Sequence, residues 1–209
     1  MKPEKAIPII VVTGFLGSGK TSLINHLLQT DCYQCQAVLV NDFGALKLDT
    51  DLVSPHGVVQ LIQGCVCCSG WQALQDALQQ IMAMTPLPDR ILVETSSVAD
   101  PCAITIALEI PELKTRVAVQ QVITIVAADQ ILALKGEMAQ LAKKQLSCAN
   151  LVVVNKIDLV SAEQLNRVMG WLQVSVTNTP IMLAAHGRVH NMDAQEIEVF
   201  EEESSSGVN

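Results

Sequence analysis

The sequence predicts an α/β fold: a three-layer sandwich with a mainly parallel central sheet. Three observations support this. Short β-branched runs alternate with segments of helical spacing along most of the chain. The strand-like runs are apolar throughout rather than alternating, as strands covered on both faces require. Half of the 209 residues are hydrophobic and only 3% are aromatic, so one core of Val, Ile, Leu, Ala and Met can be buried.

The elements follow in order. Ile7 to Thr13 is an apolar run ending at a Gly-rich turn, and reads as a buried strand. Lys20 to Leu28 has helical spacing, with Leu23, Ile24, Leu27 and Leu28 on one side. Ala37 to Val40 and Val58 to Ile62 are the next strands, and Trp71 to Met84 is a helix with Leu74, Leu78 and Ile81 on one stripe. Arg90 to Val93 is a strand, and Pro101 takes the favoured first-turn position of a helix. Val122 to Ala127, Leu151 to Val154 and Pro180 to Leu183 are strands; Gly136 to Leu146 and Ala162 to Leu172 are helices. Residues 1–194 form one domain on this reading. From Gln195 to Asn209 the periodicity gives way to Glu, Ser and Gly, the composition of a frayed or disordered acidic tail.

The formal net charge of −8 argues against a nucleic-acid or anionic-membrane surface. No apolar run reaches the roughly 18–20 residues of a membrane span, and Met1 to Pro8 lacks the apolar region of a signal peptide. The expected location is therefore cytoplasmic, where the seven cysteines favour metal ligation or free thiols over disulfides.

Gly14-Phe15-Leu16-Gly17-Ser18-Gly19-Lys20-Thr21 matches GxxxxGK[ST] between a strand and a helix. Such a loop lets backbone N–H groups curl round phosphate oxygens at a helix N-terminus. The expected fold is thus that of a P-loop NTPase. Gly14, Gly17, Ser18, Gly19, Lys20, Thr21 and Ser22 form its phosphate cradle. Lys20 is expected on the β- and γ-phosphates and the Thr21 hydroxyl on Mg²⁺. Asn155-Lys156-Ile157-Asp158 follows a buried strand and resembles the guanine-reading NKxD motif of GTPases. The Asp158 carboxylate can accept from guanine N1–H and its 2-amino group together. Adenine would leave that carboxylate unpaired, a strong basis for discrimination. Asn155 is expected to hold the loop, and the Lys156 stem to lie along the base, which narrows the nucleotide to GTP.

The catalytic carboxylates are less marked. Glu94 ends a strand where a second magnesium-side carboxylate is expected. Asp42 follows another strand and fits either a metal- or water-facing role or a turn. Asp129 fits a place near the phosphates or a helix cap. Cys65, Cys67 and Cys68 put three thiols within four residues, between glycines. Thiolates suit zinc and similar ions, and three on one loop leave a fourth position open, which suits transfer. Cys32-Tyr33-Gln34-Cys35 is a CxxC without a second pair, Cys102 and Cys148 read as packing residues on helices, and His56 reads as a loop histidine. His186-Gly187-Arg188 follows the last strand and belongs with the guanine-side loop.

GFLGSGKTSLINHLL at 14–28, NDFG at 41–44, GCVCCS at 64–69 and ETSSVADP at 94–101, with VVVNKIDLV at 152–160 and HGRV at 186–189, together resemble the CobW-type metallochaperone GTPases. The CxCC segment is the specific part of the match. The resemblance implies a GTPase domain that binds zinc, cobalt or nickel through Cys65, Cys67 and Cys68. It further implies that GTP hydrolysis, with Lys20, Asp42 and Glu94 as catalytic groups, regulates delivery to a client metalloprotein or cofactor-assembly enzyme, with homodimerisation allowed. Two departures stand out. NEFGE of the family is Asn41-Asp42-Phe43-Gly44-Ala45, and ETxG is Glu94-Thr95-Ser96-Ser97. Ser97 puts a Cβ where a backbone N–H would approach the γ-phosphate, so hydrolysis is expected to be slow. No motif places Arg90 or Arg116 as an arginine finger. The family's further C-terminal domain is expected to be missing or supplied in trans. A nucleotide- and metal-responsive regulator with little hydrolysis is the alternative, and a small-molecule P-loop kinase a weaker third.

Overall fold

The computed structural model describes residues 6–30, 35–40, 58–63, 71–102 and 111–189. Eight strands form one sheet: β1 (Ile7–Gly14), β2 (Cys35–Val40), β3 (Val58–Gln63), β4 (Arg90–Glu94), β5 (Val117–Ala127), β6 (Leu151–Asn155), β7 (Ile181–Ala185) and β8 (Arg188–Val189). Their spatial order is β3-β2-β4-β1-β5-β6-β7-β8. All pairs are parallel except β7 with β8, which closes the edge as an antiparallel hairpin. The helices are α1 (Lys20–Thr30), α2 (Trp71–Met82), α3 (Pro111–Lys114), α4 (Gly136–Ser147) and α5 (Ala162–Ser175). Among the described residues no helix is long and apolar enough to cross a membrane.

The period-two geometry of a strand explains why both sheet faces are apolar. Ile9 and Val11 of β1 point to one side, where they join Leu74, Leu78 and Ile81 of α2. Ile10 and Val12 point to the other, against Leu23, Ile24 and Leu27 of α1. A third cluster packs Val152 and Val154 of β6 against Ala142 and Leu146 of α4 and Val168 and Leu172 of α5. α1 and α2 thus bury the stripes that their spacing predicted. The Ser161 hydroxyl starts α5 by accepting from the Gln164 N–H at 3.2 Å.

Beyond the unforeseen short helix α3 and a β2 that starts at Cys35 rather than Ala37, β5 and β8 differ most from the sequence reading. β5 begins at Val117, five residues before the expected Val122, because β1 pairs with it along its whole length, with a register shift between Ile9 and Ile10. Gln121 is buried within it, so polar residues that look like a break belong to the strand. β8 was not foreseen, since two residues carry no period.

Parallel strands end at one edge, and the phosphate loop follows β1 there. Glu94 closes β4 at that edge. In register across β2, Val40 pairs with both Glu94 and Gln63. The chain therefore leaves β3 level with Glu94, two interstrand spacings or roughly 10 Å away.

Candidate functional site

A cleft of about 440 Å³ opens at this edge, lined by Gly17, Gly19, Lys20, Thr21 and Ser22, by Glu94 and Ser97, and by Asn155, Lys156, Asp158 and His186, among others. Segments more than a hundred residues apart thus share one cavity. Gly14 and Ser18 lie beneath it and shape the loop. At Gly14 (φ +147°) a Cβ would meet the Ile125 carbonyl oxygen at 2.4 Å. At Gly19 (φ +100°) it would meet the Asn155 side-chain nitrogen at 2.2 Å. Only glycine fits either place.

Asn155, at the end of β6, ties the two sides together. Its Nδ2 donates to the Ser18 carbonyl at 2.8 Å, and its Oδ1 accepts from the Gly187 N–H at 3.0 Å. Lys156 adopts the left-handed conformation (φ 62°) and turns the chain into the 3₁₀ turn Ile157–Leu159. Its ammonium lies 3.6 Å from Asp129. Asp129 is thus tied to the turn after β6, while its neighbour Gln130 lies against Gly17. Asp129 caps no helix, since the next 3₁₀ turn is preceded by Gln130 without a side-chain cap. His186 Nε2 lies 3.5 Å from Asp158 Oδ2, which puts the turn before β8 beside the NKxD carboxylate.

On the phosphate side, Thr21 Oγ1 donates to the Glu94 carboxylate, at 3.0 Å to Oε1 and 3.2 Å to Oε2. Glu94 is buried at 2% exposure. A hydroxyl and a carboxylate converging beside a P-loop lysine form an oxygen donor set of the kind Mg²⁺ takes, usually completed by phosphate oxygens and water. These residues fit a magnesium nucleotide.

Lys20 Nζ donates to the Gly14 carbonyl at 3.1 Å and to Ser97 Oγ at 2.8 Å. The Ser97 hydroxyl thus sits on the ammonium expected to hold phosphate oxygens. Ser97 is in turn held from behind: Gln145 Nε2 of α4 donates to the carbonyls of Ser97 at 3.0 Å and Ala99 at 3.3 Å. Gln145 was missed in the sequence, although a fully buried glutamine on a helix stripe between Ala142 and Leu146 is itself a signal.

Arg90 and Arg116 are at the opposite end of the sheet. Arg90 opens β4, buried, with its guanidinium on Gln36. Arg116 precedes β5, its carbonyl accepting from Ile7 N–H. Neither reaches the cleft. Cys35 is buried in β2, and burial, reinforced by the Asp89 carboxylate, pushes its thiol pKa up. Asp42, Cys65, Cys67, Cys68, Cys32 and His56 lie outside the described residues.

Residues 8–182 match the family described as CobW/HypB/UreG, nucleotide-binding domain. The chain belongs to this family. Among curated relatives it is 30% identical to the zinc chaperone CobW of Sinorhizobium sp, over 86% of this chain and 59% of that protein. It is also 30% identical to the zinc chaperone YeiR of Escherichia coli, over 86% of this chain and 55% of that protein. The chain thus spans a little over half the length of these relatives. Solved structures share the fold. Zn(II)-bound YjiA GTPase from E. coli aligns with a TM-score of 0.59 at 23% identity, covering 81% of this chain and 55% of that one. HypB from Helicobacter pylori, in complex with nickel, aligns with a TM-score of 0.54 at 16% identity, covering 92% and 82%.

Proposed function

We infer that this chain is the GTP-binding and slowly GTP-hydrolysing part of a metallochaperone, with zinc as its cargo. The observation that carries the reading is the single cleft in which Lys20, Thr21 and Glu94 face one end and Asn155, Lys156 and Asp158 the other. Their sharing one cavity supports a reading in which phosphate-binding and base-reading groups serve one nucleotide. The zinc chaperone names of its curated relatives, together with the CxCC segment, support the cargo.

In this reading the loop amides and Lys20 bind the phosphates, and Asp158 orients guanine. Thr21 and Glu94 hold Mg²⁺, which when bound neutralises charge on the phosphates. Water attacks the γ-phosphate, whose developing charge Lys20 and the loop amides stabilise. Neither Arg90 nor Arg116 reaches the cleft, and the Lys20 ammonium donates to Ser97 Oγ; both support slow turnover. Cys65, Cys67 and Cys68 would carry the metal. The strand before the CxCC segment ends at Gln63, level with Glu94, which motivates a coupling between the 94–97 segment and metal binding. Cobalt and nickel are alternative cargoes.

The test is a paired titration. GTP should bind far more tightly than ATP, and Asp158→Ala should abolish the preference. GTP turnover should be measurable, and zinc affinity should differ between GDP and a non-hydrolysable GTP analogue. Equal affinity for GTP and ATP would overturn the guanine assignment; identical zinc affinity in both nucleotide states would overturn the coupling. The contact between Ser97 and Lys20 favours a second reading, a GTP- and metal-responsive regulator without hydrolysis. Absence of turnover, with or without zinc, would select it.

A further inference from the structure

Cys102 and Cys148, which read as packing residues in the sequence, do something else in the fold. Cys102 opens a helical turn just after the 94–100 segment, and Cys148 is the C-cap of α4. Their Cα atoms are 5.7 Å apart across 46 residues of sequence, and the structure joins the two sulfurs as a disulfide. Asp100 completes the group. Its carboxylate and the two sulfurs all lie within 4.8 Å of one another, and all three residues are only partly buried. The Asp100 Oδ1 accepts from the Cys102 N–H at 3.1 Å, and Oδ2 pairs with the Lys144 ammonium at 2.7 Å.

We propose that Asp100, Cys102 and Cys148 form a second metal site, distinct from the CxCC segment, which binds a thiophilic divalent cation such as zinc when the thiols are reduced. A thiol reductant that takes this disulfide to two thiols, itself becoming a disulfide, frees two sulfurs that as thiolates can share a cation. The carboxylate favours the cation. In the reduced state two thiolates and the Asp100 carboxylate bring three negative charges together, most of which a dication offsets. Two thiolates and one carboxylate suit zinc, with water as a fourth ligand. Once the disulfide is reduced, side-chain rotation can part the sulfurs to the spacing of two ligands on one ion. Binding releases two thiol protons. Lys144 is 59% exposed, so it can swing into solvent as the metal takes Asp100.

The site has a consequence for the cleft. Asp100 and Cys102 continue the segment that carries Glu94 and Ser97, and Cys148 and Gln145 belong to the same end of α4. A metal here would pin that segment to α4 next to the hydrogen bonds from Gln145 to Ser97 and Ala99. It would stabilise the arrangement in which Ser97 contacts Lys20.

The experiment uses the full chain with Cys65, Cys67 and Cys68 replaced by Ala, kept reduced and free of oxygen. Zinc is titrated against a chromophoric chelator, and cobalt is added as a spectroscopic probe. One equivalent should bind, with thiolate-to-cobalt charge-transfer absorption. Cys148→Ser and Cys102→Ser should each weaken binding at least about tenfold, and Asp100→Asn should weaken it while keeping the thiolate bands. Thermal melts and GTP-analogue binding of the same variants show that they are folded, and keep failure of this site separate from failure of the GTP assignment. No thiolate-bound equivalent, binding indifferent to Cys148→Ser, or a Cys102–Cys148 disulfide that survives the reductant would each overturn the proposal.

Discussion

The Asn155 side chain donates to the Ser18 carbonyl at 2.8 Å and so joins the end of β6 to the phosphate loop. Its other end holds Gly187, so one fully buried amide sets the distance between the two halves of the cleft. Asn155→Ala leaves both backbone groups without their partner in a buried place. It should cost about 1–3 kcal/mol of stability, read as a lower Tm. GTP affinity should fall by more than ATP affinity, because the base-side loop loses its anchor. A variant with unchanged Tm and unchanged preference would contradict this.

Gly19 faces the same amide. Gly19→Ala puts a Cβ 2.2 Å from the Asn155 nitrogen at a φ of +100°. The backbone conformation alone costs about 1–3 kcal/mol for a residue with a Cβ. Nucleotide binding should be lost while the far end of the sheet stays folded. Calorimetric titration with GTP, alongside hydrogen exchange in β4 and β5, checks both halves of this expectation.

The contact between Thr21 and Glu94 predicts magnesium dependence. Thr21→Ala should remove most of the gain in GTP affinity that magnesium supplies, roughly tenfold or more for a hydrogen bond or ligand to a charged group. Binding without magnesium should be little changed, and Thr21→Ser should restore the gain. If the alanine variant still responds fully to magnesium, the hydroxyl is not a ligand.

The Lys20 ammonium donates to Ser97 Oγ at 2.8 Å. Ser97→Gly removes the hydroxyl and should raise the rate of GTP hydrolysis about three- to tenfold, the range for releasing one modest hydrogen bond. A rate that stays the same or falls would mean that Ser97 helps the reaction and does not restrain it.

Cys35 has a raised thiol pKa, first through burial and then through Asp89. Its folded state therefore holds the proton at a pH where the unfolded chain releases it. The stability linked to this thiol is present below the unfolded pKa and is lost as pH rises through the folded one. Alkylation of Cys35 at mildly alkaline pH should be slow in the folded protein and fast after unfolding. Peptide mass mapping over time measures this. Rapid labelling of the native chain would contradict it.

Much of this protein was legible before any coordinates. The alternation of apolar strands and striped helices determined the α/β class, because side-chain period and burial on both faces are local properties. GxxxxGK[ST] and NKxD marked a Gly-rich loop and a turn after β6, which the fold brings to one cleft, through residue types whose backbone and hydrogen-bonding limits are equally local. The polar interruption at Gln120 and Gln121 hid the start of β5, since pairing with β1 outweighs local propensity. Tertiary structure alone decided which side chains meet. Ser97 reaches Lys20 across 77 positions and Asn155 reaches Ser18 across 137, while Cys102 meets Cys148 across 46. Such contacts depend on the order in which strands assemble and on the register between them. That order is set by the packing of the whole chain, and no single segment contains it.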